Sequence, residues 1–226
     1  MKNLFDKRYP VTNSLLAVTA LVFLLIQVFR FGQTTTAYTI FDFGGMYGEV
    51  VRYDPIQLWR LISPIFVHIG WEHFLFNSFT LYALGYQLEG LFGSRRFLIL
   101  YLLAGIMGNA FVFFFTPNVV SAGASTSLFG LFGAMALLRY YSRSPYVQVL
   151  GQRYTALLIA NLIITLLNPS ISLAGHLGGA VGGCLVVILL PPQREKQVFT
   201  SKQTVLALGV YLLLLLALLG LGFIVS

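Results

Sequence analysis

Four polar side chains interrupt long apolar stretches of this chain: Ser125, His176, His73 and Asn77. A serine and a histidine are the residue types that combine as nucleophile and general base. His73 and Asn77 are four residues apart, hence on one face of a helix, and both donate hydrogen bonds without carrying negative charge. Donors of this kind stabilise a tetrahedral oxyanion. Because no carboxylate is expected at the depth of His176, the four residues predict acyl-transfer chemistry by a Ser–His dyad.

The sequence around Ser125 suits a nucleophile. Gly123 and Ala124 are small, which lets a substrate backbone approach, and a helix that begins at Ser125 has free N–H groups for an oxyanion. Phe129 follows Ser125 by four residues, so its ring is expected one turn below the hydroxyl, in a position to pack on His176. The alternative for Ser125 taken alone is an ordinary bond to a carbonyl one turn earlier.

Small residues line the helices that must carry the dyad. Gly179 and Gly183 form one small-xxx-small face after His176, and Gly130 with Ala134 forms another after Ser125. Two such faces allow close approach of helix axes. This approach is expected to place the imidazole within hydrogen-bond reach of the Ser125 hydroxyl.

Other routes to peptide hydrolysis lack their residues. A zinc protease needs His-Glu-x-x-His, whereas His68 and His73 are five residues apart, a spacing that would put their rings on different faces of a helix. An aspartyl mechanism needs adjacent carboxylates, and Glu72 and Glu89 fall at opposite ends of one span. Neither a metal nor another cofactor is predicted. The lone Cys184 cannot form an intramolecular disulfide.

The composition places these residues in a membrane protein. Of 226 residues, 58% are hydrophobic and 9% charged, against about 25% charged in a soluble domain. The net charge of +7 is scattered over short loops rather than gathered into a basic stripe, which argues against nucleic acid as a partner. The predicted fold is therefore all-α and surrounded by lipid.

Seven apolar spans are predicted, and the fourth, fifth and sixth, rich in Gly, Ser or Asn, are expected to be enclosed by other helices. The spans cover residues 11–29, 71–91, 97–116, 124–140, 154–168, 173–190 and 204–225. The one long connection, residues 30–70, joins the first and second spans and is rich in aromatic residues and glycine. It is expected to rest partly in the outer leaflet.

The charge distribution predicts the orientation. With the N-terminus in the cytoplasm, eleven of the fourteen Lys and Arg residues lie on the cytoplasmic side, and only Arg30, Arg52 and Arg60 lie outside. The C-terminus is then outside the cell membrane. The predicted organisation is a cytoplasmic N-terminus (1–10), a six-helix core (11–190), a cytoplasmic linker (191–203) and a seventh transmembrane helix (204–226).

Residues 55–185 resemble the rhomboid family of intramembrane serine proteases. The matching residues are the Trp59-Arg60 pair, His68-xxxx-His73-xxx-Asn77, Gly123-x-Ser125 and His176-xx-Gly179-xxx-Gly183. The resemblance implies a six-transmembrane-helix bundle, here with an extra C-terminal helix. It also implies a nucleophile at Ser125, a base at His176, and an oxyanion hole made by His73, Asn77 and the Ser125 backbone N–H.

The same resemblance implies how substrate arrives. Trp59 and Arg60 would hold the outer loop, and transmembrane substrates would enter sideways between the second and fifth spans. One residue departs from the family pattern, because Thr126 follows the nucleophile where glycine is common. Its branched side chain is expected to narrow the pocket for the substrate side chain or to change loop freedom. His68, at a loop–helix junction, is expected to be structural rather than catalytic.

The sequence thus favours a serine endopeptidase that cuts single-span proteins near the outer membrane face. Expected substrates have small residues at the cleaved bond and a helix that opens locally there. Two alternatives are a non-catalytic chaperone that binds helices in the same groove, and a small transporter. The transporter is disfavoured because the inner halves of the spans are nearly free of polar groups. Lipid is the other expected partner, and the sequence specifies no oligomeric state.

Overall fold

In the computed structural model, which describes residues 6–224, the regular structure of those residues is helical apart from one isolated bridge between Met46 and Ser121. The α-helices of this part of the chain are α1 Pro10–Phe29, α2 Ala37–Asp42, α3 Gly48–Tyr53, α4 Gly70–Phe92, α5 Ser94–Phe115, α6 Ser125–Tyr141, α7 Pro145–Leu167, α8 Leu173–Leu189 and α9 Ser201–Ile224. Short 3₁₀ helices cover Pro55–Leu61, Ser63–Phe66 and Gln193–Glu195.

Each of the seven predicted spans overlaps one long helix: α1, α4, α5, α6, α7, α8 or α9. Four of these helices, α1, α5, α7 and α9, are both long and apolar enough to cross a membrane. The apolar helix α8 has 17 residues, or roughly 25 Å at a rise of about 1.5 Å per residue. Residues 1–5 of the predicted N-terminal segment and residues 225–226 at the end of the seventh predicted span lie outside the described residues.

The fifth span begins earlier than the sequence predicted. Helix α7 starts at Pro145, nine residues before the predicted start at 154. The polar residues Gln148, Gln152 and Arg153 made this stretch look like a loop, yet Val147 and Leu150 on its other face are buried. An amphipathic first half is expected for a helix that enters a membrane through the interface.

Helix α7 also differs from α6 and α8 in its burial. The expectation that all three are enclosed is wrong for α7, whose C-terminal half exposes Ile163, Ile164, Leu166 and Leu167. By contrast, most residues of α6 are buried. Glycine content explains the difference, since α6 and α8 have glycines along their contact faces and α7 has one, near its beginning.

Glycine lets α6 and α8 pack backbone against backbone. A Cβ added at Gly183 would lie 1.9 Å from the Gly130 carbonyl oxygen, and one added at Gly179 would lie 2.0 Å from that of Thr126. A Cβ at Gly130 would lie 2.1 Å from the Cβ of Ala104 in α5. Side chains larger than hydrogen have no room at these positions, as the small-residue pattern predicts. Helices α5, α6 and α8 therefore form the centre of the fold.

The outer helices attach to this centre through specific polar contacts. In α9, the Tyr211 hydroxyl donates to the Leu103 carbonyl of α5 at 2.9 Å. At the beginning of α1, the Glu89 carboxylate of α4 accepts bonds from the N–H groups of Val11 and Thr12. It also accepts from the hydroxyls of Thr12 and Ser94. A carboxylate at a helix N-terminus satisfies its free N–H groups and favours the helix dipole.

The segment between α1 and α4 is held by Arg60. Its guanidinium donates to the carbonyls of Phe41 at 2.7 Å and Gly45 at 2.8 Å, and it stacks 3.9 Å from the Phe41 ring and 4.4 Å from that of Trp59. Its Nε donates to Gln57. The buried Arg60 side chain thus fixes α2 against the 3₁₀ helix Pro55–Leu61, to which Arg60 belongs.

Candidate active site

Ser125 is the first residue of α6, and the chain reaches it along a path fixed by the α1–α4 segment. Ser121 exchanges two backbone hydrogen bonds with Met46, at 2.8 and 2.9 Å. The Gly123 N–H donates to the Pro64 carbonyl at 2.8 Å, and the Ala124 N–H donates to His68 Nε2 at 3.3 Å. The N–H groups of Ser121, Gly123 and Ala124 are therefore occupied. The Ser125 N–H is the first one free by helix geometry.

Gly123 brings His73 close to Ser125. Its φ of +129° lies in the region that favours glycine. A Cβ at Gly123 would lie 2.7 Å from His73 Nε2 and 3.7 Å from Ser125 Oγ. Any larger residue would collide with the His73 ring, so the absence of a side chain here puts the imidazole beside the serine.

The hydrogen bonds of His73 decide which of its nitrogens carries a proton. Nδ1 accepts from the Ile69 N–H at 3.3 Å. In a neutral imidazole the other nitrogen is then the donor. Nε2, the nitrogen beside Gly123, therefore presents an N–H toward the region of Ser125.

Asn77 lies one turn further along α4 and is buried. Its amide nitrogen donates to the His73 carbonyl at 2.9 Å. An amide has two N–H groups, so one donor remains after this bond is made. The two residues share one face of α4, as their spacing predicts.

His176 lies in the first turn of α8 and is buried. Phe129, one turn after Ser125, stacks on the imidazole with ring centroids 3.8 Å apart and planes 13° from parallel. The contact that the Ser125–Phe129 spacing predicts is therefore present. The Nδ1 atom of His176 lies 2.8 Å from the Thr165 hydroxyl of α7.

Among the described residues, the Ser125 hydroxyl has no hydrogen bond, including none to His176. The expected bond between the two is thus not formed here. Such contacts in enzymes without substrate are often long and tighten when substrate binds. The stacked Phe129 nevertheless fixes the imidazole beside the turn that Ser125 begins.

The first turns of three helices meet at this place. His73 is the fourth residue of α4, Ser125 the first of α6 and His176 the fourth of α8. Helix N-termini carry partial positive charge and favour an anion. Their convergence gives a local field suited to a developing oxyanion.

His68 has a structural part in this arrangement. It is fully buried, accepts from the Ala124 N–H, and faces the Phe66 carbonyl with Nδ1 at 3.4 Å. Burial first, and the neighbouring His73 second, lower the pKa of His68 to about 3. The neutral ring is therefore a fixed acceptor for the residue before Ser125.

The expected separation of the His68 and His73 rings is wrong. Their centroids are 5.2 Å apart, because His68 precedes α4 and helical spacing does not apply to it. One nitrogen of each ring nevertheless accepts a backbone N–H. Within residues 6–224, no three His, Cys, Asp or Glu side chains group as metal ligands would.

The Thr126 side chain points into the core of the helical bundle, between α5 and α8. A Cβ at Gly108 of α5 would lie 2.7 Å from the Thr126 Cβ, and one at Gly175 would lie 3.1 Å from its Cγ2. Two glycines on neighbouring helices thus make room for the branched residue.

Sequence reasoning missed Thr165 and the steric part of Gly123. Thr165 is a buried polar residue in the last turn of α7, otherwise apolar there, and it contacts His176 from a different helix. The available signal in the sequence was its position near the end of the fifth span. A short loop joins that end to the sixth span, where His176 lies at a similar depth in the membrane. Gly179 and Gly183 act through the α6–α8 contact, and Trp59 and Arg60 contact one another in the α1–α4 segment.

Comparison with known proteins agrees with this architecture. The Rhomboid domain model matches residues 55–193. The chain is 34% identical to Rhomboid protease GluP of Bacillus subtilis over 172 residues, which are 76% of this chain and 33% of GluP. It is 31% identical to YdcA of the same organism over 203 residues, 85% of this chain and 94% of YdcA. Rhomboid-like protease 1 of Toxoplasma gondii is 32% identical over 186 residues, 79% of this chain and 62% of that protein.

These matches define the class of the protein. The chain belongs to the rhomboid family, and its apolar helices make it a membrane protein. It spans about a third of the length of GluP and nearly all of YdcA.

Proposed function

We propose that this protein is an intramembrane serine endopeptidase in which Ser125 is the nucleophile and His176 the general base. The observation that carries the proposal is the meeting of three helix N-termini, where Phe129 stacks on His176 and Gly123 admits His73 beside Ser125. The names of GluP and of Rhomboid-like protease 1 support a protease.

The first chemical step is attack by Ser125 Oγ on the carbonyl carbon of the cleaved peptide bond. His176 Nε2 accepts the hydroxyl proton as the new C–O bond forms. The carbonyl π electrons move to oxygen and produce a tetrahedral oxyanion. Phe129 holds the imidazole in place during this transfer.

The oxyanion is stabilised by donors already in position. His73 offers its Nε2–H, since its Nδ1 is occupied by the Ile69 N–H. The Ser125 backbone N–H and the second N–H of Asn77 complete the set. Preorganised donors of this kind contribute roughly 10²–10³ each to the rate.

Collapse of the intermediate then breaks the C–N bond. The imidazolium of His176 gives its proton to the leaving amine, and the acyl group remains on Ser125. Water enters from the outer face, gives a proton to His176 and attacks the ester. The C–O bond to Ser125 then breaks, His176 returns its proton to the Ser125 oxygen, and the carboxylic acid product leaves.

Transmembrane helices are the proposed substrates, entering between α4 and α7. These helices are joined at one end, where Gln87 bonds the hydroxyls of Tyr146 and Tyr154. Near the active site, exposed apolar side chains such as Phe76 and Leu166 line both helices instead. Small residues and a locally unstable helix at the cleaved bond would ease exposure of the backbone.

In the proposed orientation the N-terminus is cytoplasmic, the seven long helices cross the membrane, and the C-terminus and the active site lie toward the outside. The basic residues support this orientation, as eleven of fourteen fall on the cytoplasmic side. Residues 30–69 then form the outer loop, whose exposed Tyr53, Ile56 and Trp59 suit contact with the interface.

The test is cleavage of a transmembrane substrate by the purified enzyme and by Ser125→Ala and His176→Ala. We expect both variants to lose cleavage while retaining wild-type thermal unfolding. A Ser125→Ala variant that still cleaved would reject the nucleophile.

Covalent labelling separates this proposal from a non-catalytic helix chaperone. A fluorophosphonate is expected to label wild type and not Ser125→Ala. A wild-type protein that bound substrate helices but was never labelled would favour the chaperone instead.

A further inference from the structure

Thr165 joins α7 to His176 by a hydrogen bond that the dyad does not explain. Its hydroxyl oxygen lies 2.8 Å from His176 Nδ1 and 2.8 Å from the carbonyl oxygen of Asn161, one turn earlier in α7. The Thr165 residue is 4% exposed, although α7 is largely exposed around it. The hydroxyl is therefore shielded from water and fixed by both contacts.

The proton count gives this contact a direction. A hydroxyl has one proton, and we assign that of Thr165 to the bond with the Asn161 carbonyl, as in the back-bonded Thr155 of the same helix. The oxygen can then only accept from His176, so Nδ1 carries the imidazole proton. The free lone pair of the neutral ring is consequently on Nε2, the nitrogen that a general base must present to the serine.

We propose that Thr165 is a positioning residue for catalysis, which selects the Nδ1–H tautomer of His176 and fixes the plane of its ring. This inference rests on the proposed function, because it assigns Thr165 a part in that reaction. Phe129 restrains the ring from one face, and Thr165 restrains rotation within the plane. Among the described residues no carboxylate bonds His176, so the neutral hydroxyl takes the orienting position.

The bond also ties the outer half of α7 to the active site. The buried residues of α7 are Val147, Leu150, Gly151, Tyr154 and Thr165. The first four lie in the N-terminal half of α7. Thr165 is therefore the one buried residue of this set that attaches the C-terminal half, near the proposed substrate entrance, to the rest of the bundle. Movement of this part of α7 away from α8 would break the bond, which couples the helix position to the readiness of the base.

An ordinary back-bonded threonine is the competing explanation, and α7 contains one for comparison. The Thr155 hydroxyl donates to the Gly151 carbonyl at 2.8 Å, as Thr165 does to Asn161, but among the described residues Thr155 has no hydrogen bond to a histidine. Helical threonines make this bond routinely. Thr155 is thus a matched control on the same helix.

The test compares Thr165→Val, Thr165→Ser and Thr155→Val in steady-state cleavage of a transmembrane substrate. Valine keeps the shape of threonine without the hydroxyl, and serine keeps the hydroxyl. We expect Thr165→Val to lower kcat roughly 10- to 100-fold with KM within about twofold of wild type, as for other residues that orient a functional histidine. Thr165→Ser is expected to recover most of the rate, and Thr155→Val to match wild type.

Nitrogen NMR gives a readout that a purely structural role would not move. The protein has three histidines, so a ¹⁵N-histidine-labelled sample gives a simple spectrum. Wild type is expected to show Nδ1–H for His176 and His68 and Nε2–H for His73. In Thr165→Val, only the His176 signals should change, to a mixture of tautomers.

The possible outcomes separate this inference from the function on which it rests. If wild type cleaves with dependence on Ser125 but Thr165→Val keeps its kcat and the His176 tautomer, the positioning role is rejected and the protease remains. If wild type neither cleaves nor reacts with fluorophosphonate, the protease itself fails. A Thr165→Ser variant as slow as Thr165→Val would also reject the hydroxyl as the cause.

Discussion

Two polar clusters lie toward opposite ends of helix α4, and they are built differently. The inner cluster, so called from the proposed orientation, consists of Glu89, Thr12, Ser94 and the first N–H groups of α1. In it, each oxygen of the Glu89 carboxylate accepts two hydrogen bonds. The groups around the carboxylate are donors, so both of its oxygens are fully hydrogen-bonded.

The outer cluster consists of Ser125, His73, His176 and Thr165, and it keeps reactive positions open. Within the described part of the chain, the Ser125 hydroxyl makes no hydrogen bond, while His73 and His176 are each held through Nδ1. In the proposed mechanism, the Nε2 atom of His73 faces the substrate and that of His176 faces the serine. A cluster whose polar groups are all hydrogen-bonded stabilises the fold. A cluster that is fixed through Nδ1 of each histidine, with its serine hydroxyl unbonded, is suited to reaction. Substitutions at the two ends should therefore separate stability from rate.

The largest expected effect is on rate, in the outer cluster. His73→Ala should lower kcat roughly 10²–10³-fold, since one oxyanion donor is lost, while the thermal unfolding midpoint changes little. The measurement is cleavage in detergent micelles with an unfolding curve for each sample. Thr80→Val on the same helix, where the Thr80 hydroxyl donates to the Phe76 carbonyl, is the control. Equal activity of His73→Ala and wild type would contradict the assigned role.

The inner cluster should show the reverse behaviour. Glu89→Gln keeps the size of the side chain but replaces an acceptor of two bonds by a donor, beside other donors. The expected loss is about 2–3 kcal/mol in the free energy of unfolding, with kcat of the folded enzyme within about twofold of wild type. Denaturant titration and cleavage at low temperature measure the two quantities. A Glu89→Gln variant with a lower kcat and unchanged stability would contradict this assignment of the inner cluster to stability.

His68, behind the outer cluster, should make stability depend on pH. Its pKa is about 3 in the folded protein, against about 6.5 in an unfolded chain. The unfolded state therefore binds a proton first as the pH falls. The contribution of His68 to stability is complete above about pH 6.5 and declines toward about pH 3, by roughly 1.4 kcal/mol per pH unit.

Unfolding curves of wild type and His68→Gln between pH 7 and pH 4 isolate this contribution. Glutamine retains an acceptor for the Ala124 N–H and does not titrate. The difference in stability between the two proteins should shrink as the pH is lowered. A difference that stayed constant over this range would show that His68 does not supply the pH dependence.

The smallest expected effect concerns Thr126. Because its side chain packs on Gly108 and Gly175, Thr126→Gly should open a small void and add helix flexibility, which lowers the free energy of unfolding by about 1–2 kcal/mol. The cleavage rate should stay within about threefold of wild type. A large change in preference for the substrate side chain would instead support a narrowed pocket.

The sequence predicted the chemistry, and it determined most of the helices on which the proposed site residues lie. Residue types alone point to Ser125 and His176, since no metal or carboxylate pair competes with them. Local spacing also fixed the contact between Phe129 and His176 and the close packing at Gly179 and Gly183, because helical periodicity repeats on every turn. The positions of the long helices followed from apolar length, except at the amphipathic beginning of α7.

Only the tertiary structure decided which groups hydrogen-bond to the histidines and to the backbone beside Ser125. His68 bonds the N–H of Ala124, 56 residues away, and Thr165 reaches His176 from another helix. A hydrogen bond needs two groups within about 3 Å and in line, and sequence spacing specifies neither across separate helices. For the same reason the sequence could not show that the Thr126 side chain packs against two glycines. Nor could it show that a side chain at position 123 would collide with the His73 ring.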